Sequence, residues 1–280
     1  MSKVPIEVAA AGRAAAPLAA GRRLLNKVPE VTLYFWIIKI LCTTVGETAA
    51  DLLNTQLNLG LTLTTAIIGG LLLITLFFQF RATRYVPAIY WLAVVLISIV
   101  GTQITDNLVG NFAVSLVTTT ILFSVILAGV FAAWYASEKT LSIHSIYTPR
   151  REAFYWLAVL FTFALGTAAG DLTAESLQLG YPLSALLFAA LIAGVTIAHL
   201  RFKLNAVLAF WVAYILTRPL GASLGDYLAQ APDDGGLGLG TVVTSVIFLA
   251  AILLTVIYLT LTKKDVSTTD LDPGEAVPQL

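Results

Sequence analysis

Four aspartates are spaced for chemistry in a chain that otherwise has little to do it with. Each ends the same pattern of Trp, nine residues, Gly, four residues, Asp: Trp36/Gly46/Asp51, Trp91/Gly101/Asp106, Trp156/Gly166/Asp171 and Trp211/Gly221/Asp226. All four lie in apolar, helix-length stretches, where an acid is a functional candidate by default. A ring of such carboxylates can hold or select a cation, or pass a proton. Glu47 lies four residues before Asp51 and therefore on the same helix face. Together Glu47 and Asp51 offer hard oxygen donors of the kind that suit Mg²⁺, Mn²⁺ or Ca²⁺. Two cations share these stretches, Lys39 and Arg218. The five acids outnumber them by three, an excess that protons or a bound cation must neutralise inside a membrane.

The elements that carry these residues follow from composition. Of the 280 residues 58% are hydrophobic and 11% charged, and the mean hydropathy is +0.89, whereas soluble domains are roughly a quarter charged. The expected class is an all-α integral membrane protein with the lipid bilayer as its surroundings. Apolar runs long enough for a hydrocarbon core of about 30 Å fall at 32–55, 60–80, 86–109, 113–135, 153–176, 182–200, 204–229 and 238–262. Every Lys and Arg except Lys39 and Arg218 lies in the first 27 residues, after an even-numbered run, or at the C-terminal end. By the positive-inside rule both termini are expected in the cytoplasm. Residues 1–30 lack the uninterrupted apolar core of a signal peptide and read as a disordered cytoplasmic tail, as do residues 265–280.

The glycines of the pattern are 55 residues apart from Gly46 to Gly101, 65 from Gly101 to Gly166 and 55 from Gly166 to Gly221. The chain is thus a fourfold repeat. Each repeat holds two spans, so all copies enter the membrane in the same direction and are expected to be parallel repeats. The longer middle step falls in a cytoplasmic linker, 136–152, between two four-helix halves: repeats 1 and 2 (31–135) and repeats 3 and 4 (153–264). Leu59-Gly60 and Phe80-Arg81 recur as Leu179-Gly180 and Leu200-Arg201, which points to duplication of an ancestral pair.

This fourfold tryptophan spacing over roughly residues 30–264 resembles a family of bacterial multi-pass membrane proteins built of four tandem "repeat of unknown function" units. The resemblance implies architecture only, with no substrate and no catalytic residue. The expected location is the bacterial inner (plasma) membrane.

On the first helix Lys39, Thr43, Glu47, Asp51 and Thr55 form one polar stripe. Its equivalents are Val94, Ser98, Thr102, Asp106 and Gly110; Val159, Phe163, Thr167, Asp171 and Glu175; and Tyr214, Arg218, Ala222, Asp226 and Gln230. If the four helices surround an axis, these positions stack in layers with one layer of four aspartates. The alternative for the aspartates is structural, each bonding a neighbouring helix. For Lys39 the alternatives are snorkelling to the nearby surface or a field acting on Glu47. Arg218 is expected to form an internal ion pair or to plug an anionic path two turns below Asp226, and Pro219 to kink its helix. The tryptophans read as interface anchors or packing wedges, and His199 as an interfacial residue.

A single Cys42 and two histidines, His144 and His199, exclude thiolate or histidine metal clusters. No cofactor is expected, and any divalent cation would be cargo. The leading reading is a transporter for a proton or small metal ion, with Asp51, Asp106, Asp171, Asp226 and Glu47 at the ion site and Lys39 and Arg218 modulating it. The permanent charges of Lys39 and Arg218 argue against an open symmetric pore and for a carrier whose halves rock. A non-transporting scaffold or sensor is the runner-up. An intramembrane aspartyl enzyme fits less well: Ala168 and Ser223 occupy the first position where a Gly-x-Gly-Asp motif needs glycine, and four equivalent acids single out no dyad. No nucleic-acid partner is expected, and pseudo-symmetry within one chain makes a monomer sufficient.

Overall fold

The computed structural model describes residues 26–56 and 59–266. Among these there are eight long helices and no strand: α1 (Leu33–Asp51), α2 (Leu61–Arg81), α3 (Pro87–Asp106), α4 (Leu116–Glu138), α5 (Pro149–Asp171), α6 (Tyr181–Phe202), α7 (Ala206–Ala229) and α8 (Thr241–Thr262). With their short extensions all eight are long and apolar enough to cross a membrane. Local chemistry sets their ends. Thr32, Ser115, Thr148 and Asn205 accept backbone N–H groups at the starts of α1, α4, α5 and α7. Gly60, Gly180 and Gly240 precede α2, α6 and α8 with φ of 75°, 72° and 79°, a region that glycine enters without penalty.

The helices sort into two shells. In the inner shell α1 packs on α3 and α7, and α5 on α3 and α7, so the Trp-Gly-Asp helices close a ring. In the outer shell each even helix packs against the inner helix of the following repeat: α2 on α3, α4 on α5, α6 on α7 and α8 on α1. The two halves of the chain therefore do not form separate bundles, in contrast to the division expected at the 136–152 linker. Every repeat is completed by its neighbour, and the last by the first.

The repeat glycine makes this ring possible. A Cβ on Gly46 would overlap Ser98, on Gly101 Phe163, on Gly166 Arg218 and on Gly221 Thr43. Those four partners are equivalent positions, each on the next helix around the ring. The inner helices thus run in the same direction and in register, with side chains of one seated on the bare backbone of the other. Beneath this level an aromatic layer closes the N-terminal end of the ring. Tyr90 and Tyr155 share a hydrogen bond between their hydroxyls, and Phe35 and Phe210 meet at 5.9 Å between centroids.

Trp91, Trp156 and Trp211 are 2%, 3% and 4% exposed, so they act as packing wedges between the shells. Helix α7 continues through Pro219. The outer helices turn large aliphatic groups outward, including Leu73, Leu186 and Leu254, each about two-thirds or more exposed. Residues 26–30, expected as part of a disordered tail, are instead tied down. Lys27 pairs with Glu152 at 2.8 Å with both side chains buried, and Glu30 N–H donates to the Asp265 carbonyl at 2.9 Å. The physical reason is that the gap between the shells needs filling there, and a charge pair with mutual hydrogen bonds can be buried. The remainder of both expected tails, 1–25 and 267–280, lies outside the described residues.

Gly101→Ala should destabilise the fold by about 1–3 kcal/mol, because its methyl would meet the Cβ and backbone of Phe163. Gly69→Ala, with nothing within contact range of the new methyl, should be neutral or slightly stabilising. Thermal unfolding of the two variants in detergent distinguishes a helix contact from a mere abundance of glycine.

Candidate functional site

On the ring axis, one turn past the glycine contacts, lies the side chain of Arg218. Its stem lies against Gly166, and its guanidinium is fully buried. It touches all three other inner helices. The two N–H groups of Nη2 are shared among Glu47 Oε2 on α1 at 2.7 Å, Thr167 Oγ1 on α5 at 2.8 Å and Thr102 Oγ1 on α3, while Nη1 donates to the Thr43 carbonyl at 3.2 Å. The threonines can receive these bonds because their own hydroxyl protons point elsewhere. Thr102 donates to the Ser98 carbonyl and Thr167 to the Phe163 carbonyl, each four residues back. Glu47, Thr102 and Thr167 are equivalent positions, so the arginine of one repeat fills the layer formed by the other three.

Below it Lys39 is 1% exposed, and its ammonium lies 3.9 Å from the centroid of Phe163 and 4.3 Å from that of Tyr214. It makes no hydrogen bond. It neither snorkels to the surface nor reaches Glu47, whose carboxylate belongs to Arg218. Two ring faces offer the ammonium a cage in this buried place.

Above the arginine come the four aspartates. Asp51, Asp106 and Asp171 are the last residues of α1, α3 and α5, and Asp226 lies three residues before the end of α7. The first three are half-buried and Asp226 is 8% exposed. Immediately beyond Asp51, Asp106 and Asp171 the helix widens into a π turn, at Leu52–Gln56, Asn107–Asn111 and Leu172–Ser176, a distortion common at functional positions. Helix α7 has none. Asp51 Oδ2 accepts from Gln230 Nε2 at 3.4 Å. Among the described residues Asp106, Asp171 and Asp226 have neither a hydrogen bond nor an ion pair through their carboxyls. Asp106 feels the like charges of Glu47, Asp51 and Glu175, Asp171 those of Glu47, Asp106 and Glu175, and Asp226 those of Glu47, Asp171 and Asp51, with the opposite charge of Arg218 acting on all three.

Arg218 thus pairs with Glu47 and not with the aspartate two turns above it on its own helix. No cluster of three or more His, Cys, Asp and Glu among the described residues is arranged to hold a metal ion. Of the pair considered for metal, Glu47 has one oxygen committed to the guanidinium. Sequence reasoning placed Thr102 and Thr167 in the layer of Glu47 but assigned them no role, and it overlooked the cage around Lys39. The signal available was the combination of a threonine at the equivalent position in two repeats and a cation in a third.

Fold and site define a helical repeat protein: four copies of a helix pair, with eight helices long and apolar enough to cross a membrane and the polar residues turned to a common axis. The chain belongs to the family described as Repeat of Unknown Function (DUF347), whose model matches four times in tandem, over residues 34–85, 89–140, 154–205 and 209–265. No curated protein and no solved structure matches it.

The geometry separates two contributions of the central pair. Glu47→Ala strands a buried guanidinium and should cost about 3–5 kcal/mol, whereas Glu47→Ala combined with Arg218→Met should recover much of that loss. A double-mutant cycle on unfolding in detergent measures the coupling. Additive effects would show that the pair carries no mutual stabilisation.

Proposed function

We propose that this chain is a multi-pass protein of the bacterial inner membrane, with both termini in the cytoplasm, that carries a proton or small cation on its inner aspartates. The bilayer assignment draws on the apolar outer surface, where the exposed large side chains of α2, α6 and α8 include Leu73, Phe77, Leu186, Val246 and Leu254. The orientation draws on the gathering of Lys and Arg at the N-terminal end of the inner ring. The observation that carries the functional reading is the state of the carboxyls. Glu47 is neutralised by Arg218, but Asp106, Asp171 and Asp226 have no hydrogen-bond or ion-pair partner among the described residues, and unpartnered carboxylates at this depth are balanced by protons or by a bound cation.

The path is closed in this conformation, by Arg218 across the axis and by the aromatic layer below it. A carrier fits this better than a channel. With Arg218 already held by Glu47, the aspartates are left to the ion, and release on the cytoplasmic side requires the guanidinium to leave the axis and the ring to open there. Because the ring joins all four repeats, any opening has to part contacts between inner helices, whether or not the two halves of the chain move as units.

Wild type and Asp171→Asn, reconstituted in liposomes on a solid-supported membrane, test the reading against protons and a panel of mono- and divalent cations. A saturable current in the wild type should fall at least about tenfold in Asp171→Asn, equivalent to about 1.4 kcal/mol or more of lost binding, while the variant still folds and inserts. An equal current in both proteins would sink the aspartate site. No current for any ion, together with no ion-driven flux in an electroneutral exchange assay, would favour the scaffold or sensor.

A further inference from the structure

Between α6 and α1, over the N-terminal half of α7, lies a cavity of about 430 Å³, a size typical of small-molecule sites. The repeat provides its own reference for this place, because the same gap between an outer helix and the inner helix beyond it occurs four times. In the gap between α4 and α7 the space is filled by an aromatic cluster. Trp134 stacks on Phe154 with centroids 6.3 Å apart and planes at 5°, and stands edge-on to Trp211 at 5.8 Å; Phe131 meets Trp211 at 5.0 Å. In the gap between α2 and α5, Gln79 donates to the Lys27 carbonyl and to Glu152, with the Lys27 ammonium on the same carboxylate. In the gap between α8 and α3, Tyr85 donates to Asp265 and accepts from Trp91.

At the fourth gap the filling residues are gone. By the 65-residue step His199 stands where Trp134 does and Thr196 where Phe131 does, and by the 55-residue step Ala209 stands where Phe154 does. All three line the cavity. The receiving aromatics remain: Trp36, the equivalent of Trp211, faces the space beside Phe210, 5.6 Å away between centroids. The inward stripe of α6 confirms the divergence. Ser184 and Phe188 are buried like their counterparts Thr119 and Phe123 in α4, but Ile192, Val195 and His199 are only half-buried where Leu127, Val130 and Trp134 are buried.

His199 also fixes the polarity of an occupant. Its Nδ1 lies 2.8 Å from the Leu204 carbonyl, which can only accept, so Nδ1 carries a proton, and in the tautomer this selects Nε2 is the acceptor. We propose that this cavity binds a neutral aromatic molecule of about indole size bearing one N–H or O–H donor. Its ring restores the cluster that Trp134 completes two helices away, edge-on or offset against Trp36 and Phe210, and its donor meets His199 Nε2. An acyl chain would fill the volume without ring–ring attraction, which is worth roughly 0.5–1.5 kcal/mol per pair beyond area burial, and without a donor for the imidazole. This inference is independent of the aspartates.

The test is ¹⁹F NMR of 5-fluoroindole with the full chain in lipid nanodiscs, with empty nanodiscs as background. A saturable bound signal is expected in the wild type. It should weaken about tenfold or more in His199→Trp, whose indole refills the gap as Trp134 does and which should unfold at or above the wild-type temperature. Thr196→Phe, restoring the counterpart of Phe131, decides the matter if His199→Trp does not fold. Asp171→Asn should bind 5-fluoroindole as the wild type does. Absence of a saturable signal, an unchanged signal in a folded cavity-filling variant, or displacement by decanoate at lower concentration than by unlabelled indole would each overturn the proposal, the last by assigning the cavity to a lipid chain.

Discussion

A guanidinium on the axis of the inner ring is the constraint on which the other features depend. Arg218 is fully buried, so its charge must be met by the groups around it. It is met by groups from all three other inner helices, and the three side chains among them, Glu47, Thr102 and Thr167, lie in a single layer. This fixes the rotation of α1, α3 and α5 about their own axes, and with it the side of each helix on which the aspartate emerges one turn later. Removing the charge would leave four parallel helices held by aliphatic contacts and glycine seats, which hold spacing better than rotation.

The second constraint is steric. The glycine that recurs in every repeat brings adjacent inner helices into backbone contact, and its seat is taken in turn by Ser98, Phe163, Arg218 and Thr43. Those four side chains differ in size and polarity, yet each enters at the same height. A common backbone frame can therefore carry different chemistry in each repeat. The symmetric part sets the distance between helices, and the unshared residues (Lys39, Glu47, Arg218 and the aromatic cage of Phe163 and Tyr214) set the electrostatics within it.

The shells join by the same logic of frame and filling. Each outer helix leaves a gap beside the inner helix beyond its own seat, and three of the four gaps are filled, by indole and phenyl rings, by a buried Lys27–Glu152 pair, or by the Tyr85–Asp265 contact. These solutions share nothing chemically except volume. The two ionic or polar ones recruit residues from outside the helices, which is why the segment preceding α1 and the residue Asp265 after α8 are as buried as the core.

Much of this was legible in the sequence, and the reason is that helical periodicity and repeat spacing are local properties. They determined the eight helices and their approximate ends, the pairing of two helices per repeat, the polar face of each inner helix and the alignment of Asp51, Asp106, Asp171 and Asp226, since a 3.6-residue period and a constant step leave little freedom. Which helices become neighbours was decided only in three dimensions. A sequence with two halves and a long linker suggests two bundles, but closing a ring through the glycine seats lets every repeat use the next, and α8 returns to α1. The partner of Arg218 was likewise a tertiary outcome: along α7 the nearest acid is Asp226, but the side chain points across the axis to Glu47, because the ring brings α1 nearer than a residue two turns away on its own helix. The cage around Lys39 and the cavity beside Trp36 have the same origin, since each is made by residues far apart in the chain whose volumes meet only once the ring has closed.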